Sequence, residues 1–460
     1  MYKLNKEILK ACDIRGVYNT SLFDDDFYYI ARAFAVILHK ENKKNCVLGY
    51  DCRLSSVALF EKFKQGLLDS GIKVFYFPTL ISSPALYYSL DYLKADSGVM
   101  ITASHNPYIY NGCKFVINDR IFHNTDITNL NEIIETGNFV DKKIDDQVCV
   151  DIKETYINYL ISKLNLENLK EAKIVWDCAN GATAFCIKDF VKRLPSQNIL
   201  IFEEADGRFP NHKPDPSKEE NLQLVKDKVL EVKADIGISF DGDGDRVGFI
   251  DSKGSYVDGN QLLIILAKDF LNSNPGEKVM SEVKASKVFY NSIKDFGGIP
   301  VMWKVGHTNQ KAKMKEDDIK FAGETSGHIF YKENNYYDDG MFGAIKLLNY
   351  MFFTKQKLSQ ILEKLPLIIG SGEVRLKMNE DERTLFLKVI KENLIKDNRE
   401  FIDIDGMRVD SSNGFWLLRK SNTEPHITLY CESYSKEDYM TVVEDLKAYI
   451  SKTDYKLTEL

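Results

Sequence analysis

At 460 residues, with 44% hydrophobic and 28% charged side chains, the chain has the composition of a water-soluble globular protein. It is too long for a single core and suited to three or four domains. Its net charge of -7 excludes a global attraction to nucleic acid or anionic membrane, so an anionic ligand would have to be met by local positive charge. No apolar run approaches the roughly 18 residues of a membrane span, and the amino-terminal MYKLNKEILKACDIRG lacks the continuous apolar core of a signal peptide, which points to the cytoplasm.

Along the first 365 residues, short apolar runs alternate with amphipathic helical stretches, the pattern of α/β domains with crossover helices. In a first segment, 1–150, strands are expected at Cys46 to Tyr50, Lys73 to Phe77 and Val99 to Ala103, with helices at Ser56 to Ser70 and Pro84 to Leu93. A second segment, 151–253, opens with the amphipathic stretch ETYINYLISKL, continues through the strand KIVWD and ends a strand, ADIGISF, directly on DGDGDR. A third, 254–367, carries strand candidates at Val279 to Lys284, Pro300 to Lys304 and Lys320 to Ala322. In the last, 368–460, the stretches GEVRLKM, FIDIDGMRV, FWLLRK and HITLYCES are β-like and only two helical stretches accompany them, which indicates an α+β domain. The strand-to-turn stretches GYDCR and WDCANG resemble each other loosely, a hint of internal repetition. The eight cysteines, at 12, 46, 52, 113, 149, 178, 186 and 431, include no CxxC pair and read as free thiols.

Four motifs carry chemistry. Thr102-Ala103-Ser104-His105-Asn106-Pro107 follows the strand GVMITA, and a serine at the carboxyl end of such a strand lies where open α/β sheets place ligands. The proline and the nearby Asn-Gly favour a loop that exposes its hydroxyl. No GxSxG elbow is present, and His105, as the direct neighbour, is poorly placed to act as base, so a serine hydrolase is disfavoured. In Asp241-Gly242-Asp243-Gly244-Asp245-Arg246, three carboxylates spaced by two on a glycine-rich turn can converge on one hard cation. The EF-hand pattern fails, because Arg246 and Ser252 stand where that loop needs Gly and Glu. Arg246 suggests a phosphate beside the metal. Gly323-Glu324-Thr325-Ser326-Gly327-His328 offers groups able to hydrogen-bond sugar hydroxyls. Lys304-Val305-Gly306-His307 and Glu282-Val283-Lys284 end strands of the same segment and could face one crevice. Finally, Arg419-Lys420-Ser421-Asn422-Thr423-Glu424-Pro425 combines an arginine, hydroxyls and loop amides into a plausible phosphate cradle.

Together with Ala11-Cys12-Asp13-Ile14-Arg15-Gly16, these motifs resemble the alpha-D-phosphohexomutase superfamily, in its bacterial phosphomannomutase/phosphoglucomutase group, in order from about residue 11 to 435. The resemblance implies four domains around a central cleft, with the fourth moving as a lid. It implies that Ser104 is a phosphoserine and that Asp241, Asp243, Asp245 and the Ser104 phosphate ligate Mg²⁺. Arg15 and Arg246 would steady the transferring phosphoryl group, and Lys114 and His307 would handle the proton on the sugar hydroxyl. Lys284, Glu324, Thr325, Ser326, Gly327 and His328 would contact the sugar, while Arg419, Lys420, Ser421, Asn422 and Thr423 would grip the other phosphate. The implied reaction interconverts hexose 6-phosphate and hexose 1-phosphate (mannose or glucose) through hexose 1,6-bisphosphate, with glucose 1,6-bisphosphate as activator. The expected partner is thus a hexose phosphate, with no nucleic acid or membrane, and the protein is expected as a monomer or weak dimer. Cys12 replaces the group's usual Tyr. Ser421-Asn422-Thr423 departs from the Ser-Gly-Thr usual in phosphoglucosamine mutases, the rival within the superfamily. A metal-dependent phosphatase would use the same groups with water as acceptor.

Overall fold

The computed structural model describes residues 2–11, 13–118, 120–421 and 425–455, and the chain gathers into two compact units, Met1–Gly259 with Ser326–Ile361, and Asn260–Thr325 with Leu362–Leu460.

The first unit contains two sheets. One has six strands in the order Asp13–Val17, Tyr110–Ile117, Ser97–Ile101, Asn45–Tyr50, Lys73–Tyr76 and Gln147–Cys149. Its alternating strands and helices give parallel pairs, except that Tyr110–Ile117 runs antiparallel to both neighbours. The sheet is therefore mixed. Asn111-Gly112, expected in a loop, lies inside that antiparallel strand, with Gly112 opposite Arg15. The helices Asp24–Lys40 and Ser56–Asp69 supply the apolar cover, and Phe27, Phe34, Phe63 and Phe115 meet in edge and tilted contacts inside it. Burial of such side chains stabilises by about 1.5–3 kcal/mol each, which fixes the register from which the functional loops leave.

The second sheet has the order Tyr256–Val257, Val247–Asp251, Ile236–Phe240, Lys173–Asp177 and Gln197–Ile201. The three strands Ile236–Phe240, Lys173–Asp177 and Gln197–Ile201 are parallel, while Val247–Asp251 returns antiparallel with Val247 opposite Phe240. DGDGDR is thus the connection of a buried hairpin. Residues 326–361 pack with this unit. Their helix Gly340–Thr354 is apolar nearly all round, is capped by Asp339, and stacks Phe342 on Tyr159.

In the second unit the strands Ile299–Trp303, Lys278–Glu282 and Phe321–Gly323 are parallel. An antiparallel sheet follows, in which His426–Ser433 pairs with Gly414–Lys420, Val374–Lys377 and Ile369–Gly370, and Gly414–Lys420 pairs with Met407–Ser411. The helices Glu380–Lys396 and Lys436–Ile450 cover it through a core including Trp416, Leu429, Ile390 and Leu446. Of the β-like stretch FIDIDGMRV only the end is strand, since residues 404–406 bend and Ile402 makes an isolated bridge to Arg408. The fully buried Arg408 donates to the carbonyls of Val283 and Ala285 at 2.7 and 2.6 Å, and buried Glu432 accepts from Ser286 Oγ at 2.6 Å. The parallel and antiparallel parts of this unit are thereby cross-tied.

Among the described residues no helix is long and apolar enough to cross a membrane, and all seven cysteines are free.

Candidate functional site

The strand Ser97–Ile101 is buried along its whole length and delivers Ser104 three residues beyond its end. Ser104 sits in the left-handed region, with φ +51, a conformation that costs a non-glycine residue about 1–2 kcal/mol and persists only where neighbours hold it. Its amide donates to Thr102 Oγ1 at 2.9 Å and its Oγ donates to Asp241 Oδ2 at 2.8 Å.

Two expectations are corrected here. Ser104 is only 2% exposed, because the metal-loop backbone closes on it: a Cβ on Gly242 would meet the Ser104 carbonyl oxygen at 2.4 Å. His105 also does present its ring to the hydroxyl, with Nδ1 3.2 Å from Ser104 Oγ. Burial, reinforced by the cations Arg246 and Arg15, pushes the His105 pKa well below its ordinary value, so the imidazole is neutral.

Asp241, Asp243 and Asp245 are all fully buried, with ligand atoms within 4.8 Å of one another. Asp241 Oδ1 accepts from the amides of Gly244 and Arg246 at 2.9 and 3.1 Å, which shapes the turn. The strand Tyr110–Ile117, absent from the expected elements, carries Lys114 to this cluster, where its Nζ lies 2.6 Å from Asp243 Oδ2 and 2.5 Å from Asp245 Oδ2. Burial favours the neutral amine, but the Asp243 and Asp245 charges outweigh it and hold Lys114 charged, its pKa well above the ordinary value. Burial likewise opposes ionisation of Asp243, and Lys114 with Ser83 overcomes it, leaving the carboxyl below its usual range. Asp241 is pushed well up, first by burial and then by Asp243 and Asp245. One ammonium does not balance three carboxylates, and Asp243 Oδ1 and Asp245 Oδ1 are buried without a hydrogen-bond partner. This donor set, all hard oxygen, fits a divalent cation such as Mg²⁺.

Arg246 Nε donates to His328 Nε2 at 2.9 Å. Because a guanidinium is always a donor, the proton of a neutral His328 must be on Nδ1, which lies 3.2 Å from Asp338 Oδ2 and 3.7 Å from Asp245 Oδ1. Gly327, at φ +94, accepts from the Val247 amide and so pins this stretch, while Ser326 beside it is half-buried. Arg15 donates to Asn106 Oδ1 and to Asp13 Oδ2, each at 2.6 Å, which brings it to the serine loop.

In the second unit the parallel strands place Glu282 opposite Trp303, so Glu282-Val283-Lys284 and Lys304-Val305-Gly306-His307 leave adjacent strand ends. Glu324 is buried and accepts from the Gly306 amide at 2.6 Å. Thr325 Oγ1 donates to Glu282 Oε1 at 2.6 Å. His307 opens the helix His307–Asp317, and Lys284 Nζ is 3.9 Å from Glu373. Asp405 joins two of the expected loops, accepting from the Val305 amide at 2.9 Å and from Arg419 Nη2 at 3.2 Å. Lys420 is turned to Glu380 and Thr384, both at 2.8 Å, and the Ser421 carbonyl accepts from Arg383. Cys12, Asn422 and Thr423 lie outside the described residues.

The loose repetition of GYDCR and WDCANG has a structural counterpart that extends to a third copy. Asp51, just after the strand Asn45–Tyr50, accepts from Thr102 Oγ1 at 2.7 Å; Asp177, ending Lys173–Asp177, accepts from Ser239 Oγ at 2.5 Å; Glu282, ending Lys278–Glu282, accepts from Thr325 Oγ1 at 2.6 Å. In each case a carboxylate at the end of one strand latches a hydroxyl at the end of its parallel neighbour. The latched stretches are those that carry Ser104, Asp241 and Glu324. Asp51, Asn106, Asp338 and Asp405 were missed as site residues by sequence reasoning. Asp51 had a signal in the repeated strand-end acid and Asn106 in its place within the serine motif, while Asp338 and Asp405 had none.

Comparison with known proteins identifies the family. Residues 6–141, 154–254, 258–367 and 373–448 match the models of phosphoglucomutase/phosphomannomutase alpha/beta/alpha domains I, II and III and the C-terminal domain. The chain is 37% identical over 432 residues to the phosphomannomutase/phosphoglucomutase of Pseudomonas syringae pv. tomato, covering 94% of this chain and 92% of that one. It is 35% identical to the phosphoglucomutase of Neisseria gonorrhoeae across the whole of both chains. A crystal structure of a phosphoglucomutase/phosphomannomutase family protein from Burkholderia thailandensis superposes with a TM-score of 0.92 at 30% identity, covering 99% of this chain and 100% of that one. With all four domain models matched in order, the chain belongs to the phosphomannomutase/phosphoglucomutase group of the alpha-D-phosphohexomutase superfamily and is an enzyme of the mutase class.

Proposed function

We propose that this enzyme reversibly interconverts hexose 6-phosphate and hexose 1-phosphate, with glucose or mannose as the hexose, by way of phosphorylated Ser104. The observation that carries this reading is Ser104 Oγ, buried and 2.8 Å from Asp241, in a cluster with two buried carboxylate oxygens that accept no hydrogen bond. Asp241, Asp243, Asp245 and the Ser104 phosphate would hold Mg²⁺. Once bound, the ion neutralises charge on the transferring phosphoryl group.

In the first half-reaction the bond from phosphorus to Ser104 Oγ breaks as a bond from phosphorus to the free sugar hydroxyl oxygen forms. The hydroxyl proton passes to a base, Ser104 Oγ regains a proton, and the product is hexose 1,6-bisphosphate. The second half-reaction is the reverse at the other phosphate, with glucose 1,6-bisphosphate as the activator that phosphorylates resting enzyme. Arg15 and Arg246, each fixed by partners of its own, steady the phosphoryl oxygens through bidentate donation. Lys114 and His307 are the acid and base candidates, and Lys114 lies at the aspartate cluster between Asp243 and Asp245. In the second unit, Glu324 and Lys284 orient sugar hydroxyls and Arg419 with Ser421 holds the phosphate not in transfer, with Asn422 and Thr423 as further donors.

The test is a mutase assay with Mg²⁺ and catalytic glucose 1,6-bisphosphate, offering mannose 1-phosphate, glucose 1-phosphate and glucosamine 1-phosphate separately. Comparable turnover of the first two supports a dual-specificity mutase. Preference for glucosamine 1-phosphate overturns the substrate assignment, and inorganic phosphate without isomer overturns the mutase reading.

A further inference from the structure

Arg53 is a guanidinium with no solvent exposure, 51 residues before Ser104 and part of none of the four motifs. All five of its N–H groups have acceptors. Nε donates to Asp51 Oδ2 at 3.1 Å. Nη2 donates to the carbonyl of Ser104 at 2.6 Å and to that of Asn106 at 2.7 Å, and Nη1 donates to Pro107 at 2.7 Å and Tyr110 at 3.0 Å. Four carbonyls between Ser104 and Tyr110 are therefore gathered on one planar fork, and one of the four is the nucleophile's own.

The surroundings hold that fork in place. Asp51 also accepts from Thr102 Oγ1, which in turn accepts from the Ser104 amide. Ser104 is thus gripped on its N–H through Thr102 and Asp51 and on its C=O by Arg53. Phe209 lies under the guanidinium, 5.1 Å from ring centre to Cζ. The turn at Gly207 also packs closely on the segment's backbone, since a Cβ there would meet the Arg53 Cα at 2.6 Å. A loop alone would relax out of the left-handed conformation that Ser104 adopts, and a planar five-donor fork is the side chain able to fix several carbonyls at once.

We propose that Arg53 is the positioning residue of the transfer step, resting on the reading that Ser104 carries the phosphoryl group: it holds the Ser104 backbone so that Oγ, or its phosphate, meets the acceptor in line. With every donor occupied by carbonyls and Asp51, it acts on the phosphate through the loop and not by contact. Misplacing a reacting group by about 1 Å costs on the order of 100-fold in rate while leaving substrate binding nearly intact.

The test uses the full chain with Mg²⁺ and glucose 1,6-bisphosphate. In R53K a single ammonium cannot serve four carbonyls, and kcat is expected to fall about 100-fold with KM within about threefold of wild type. Phosphate on the peptide containing Ser104, read by mass spectrometry in wild type, is the control. If wild type carries none after exposure to glucose 1,6-bisphosphate, the Ser104 reading fails. If wild type is phosphorylated and R53K turns over within threefold of it, the assignment of Arg53 alone is overturned. Should R53K not fold, F209L carries the test, because it removes the ring beneath the guanidinium and leaves every hydrogen-bonding group of Arg53 in place. A kcat lowered threefold or more at unchanged KM and melting temperature supports the proposal, and an unchanged kcat sinks it.

Discussion

The loops around Ser104 and the loops of the second unit that carry Glu324 and Arg419 are built to different standards of rigidity. In the first region Ser104 is 2% exposed and the three aspartates not at all, Ser104 sits in a strained backbone conformation held by Arg53, by Gly242 and, through Thr102, by Asp51, and Lys114 ties Asp243 to Asp245. In the second, Glu324 and Arg419 are buried, Glu324 accepting from the Gly306 amide and Arg419 donating to Asp405, but Lys304 is exposed and Lys284 and His307 are half-buried. The contrast fits a division of labour. Transfer of a phosphoryl group depends on preorganised charge at fixed positions, whereas recognition of a sugar and a second phosphate tolerates side chains that settle on the ligand.

That division can be broken by experiment. The largest effect belongs to Ser104→Ala, expected to lower mutase turnover by at least about 10⁴-fold and to abolish bisphosphate formation, since it removes the hydroxyl proposed to carry the phosphoryl between half-reactions. Retention of most activity removes Ser104 from the mechanism. Next comes Asp243→Asn, which takes a charge from the cluster and a partner from Lys114. It should cost roughly 10³-fold in kcat and weaken Mg²⁺ binding measured by titration calorimetry, with KM for the sugar phosphate little changed. In wild type, chelation should abolish activity and Mg²⁺ should restore it.

Arg419→Ala probes the other region. It should raise KM roughly 30-fold, equivalent to the about 2 kcal/mol of a charge-assisted hydrogen bond, with kcat changed less than KM. A kcat effect larger than the KM effect would erase the distinction between the two regions.

The last prediction concerns stability and not turnover, through a group in the same unit as Ser104. Asp339, buried against Tyr156 and capping the helix Gly340–Thr354, has its carboxyl pushed up to about 6, by burial foremost. A carboxyl raised in the folded state favours the protonated form. Its contribution to stability is full below the unfolded value near 4 and is lost as pH rises through about 6, a change of about 3 kcal/mol. Asp339→Asn keeps a cap oxygen but cannot ionise, so the apparent melting temperature of the variant should fall less between pH 4 and 7 than that of wild type. Parallel profiles would remove Asp339 as their source.

How much of this was legible in the sequence depended on range. Motifs contiguous along the chain, TASHNP and DGDGDR, announced themselves, because each loop leaves a strand whose apolar run marks its end. The strand Tyr110–Ile117 was hidden because Asn111-Gly112 reads locally as a turn, although pairing with Asp13–Val17 and Ser97–Ile101 overrides that preference. The burial of Ser104 came from the metal loop, 137 residues away, and no local pattern could report it. Arg53 was legible only as part of GYDCR, a fragment whose resemblance to WDCANG reflects the strand-end carboxylate, not the guanidinium that follows it.

The most direct test of the account follows the phosphoryl group itself. Enzyme labelled with ³²P on Ser104 is mixed with glucose 6-phosphate and Mg²⁺ and quenched within a turnover. The account predicts that label leaves the Ser104 peptide and appears in glucose 1,6-bisphosphate and then in glucose 1-phosphate. Label that stays on the protein while isomer forms, or that leaves only as inorganic phosphate, would contradict it.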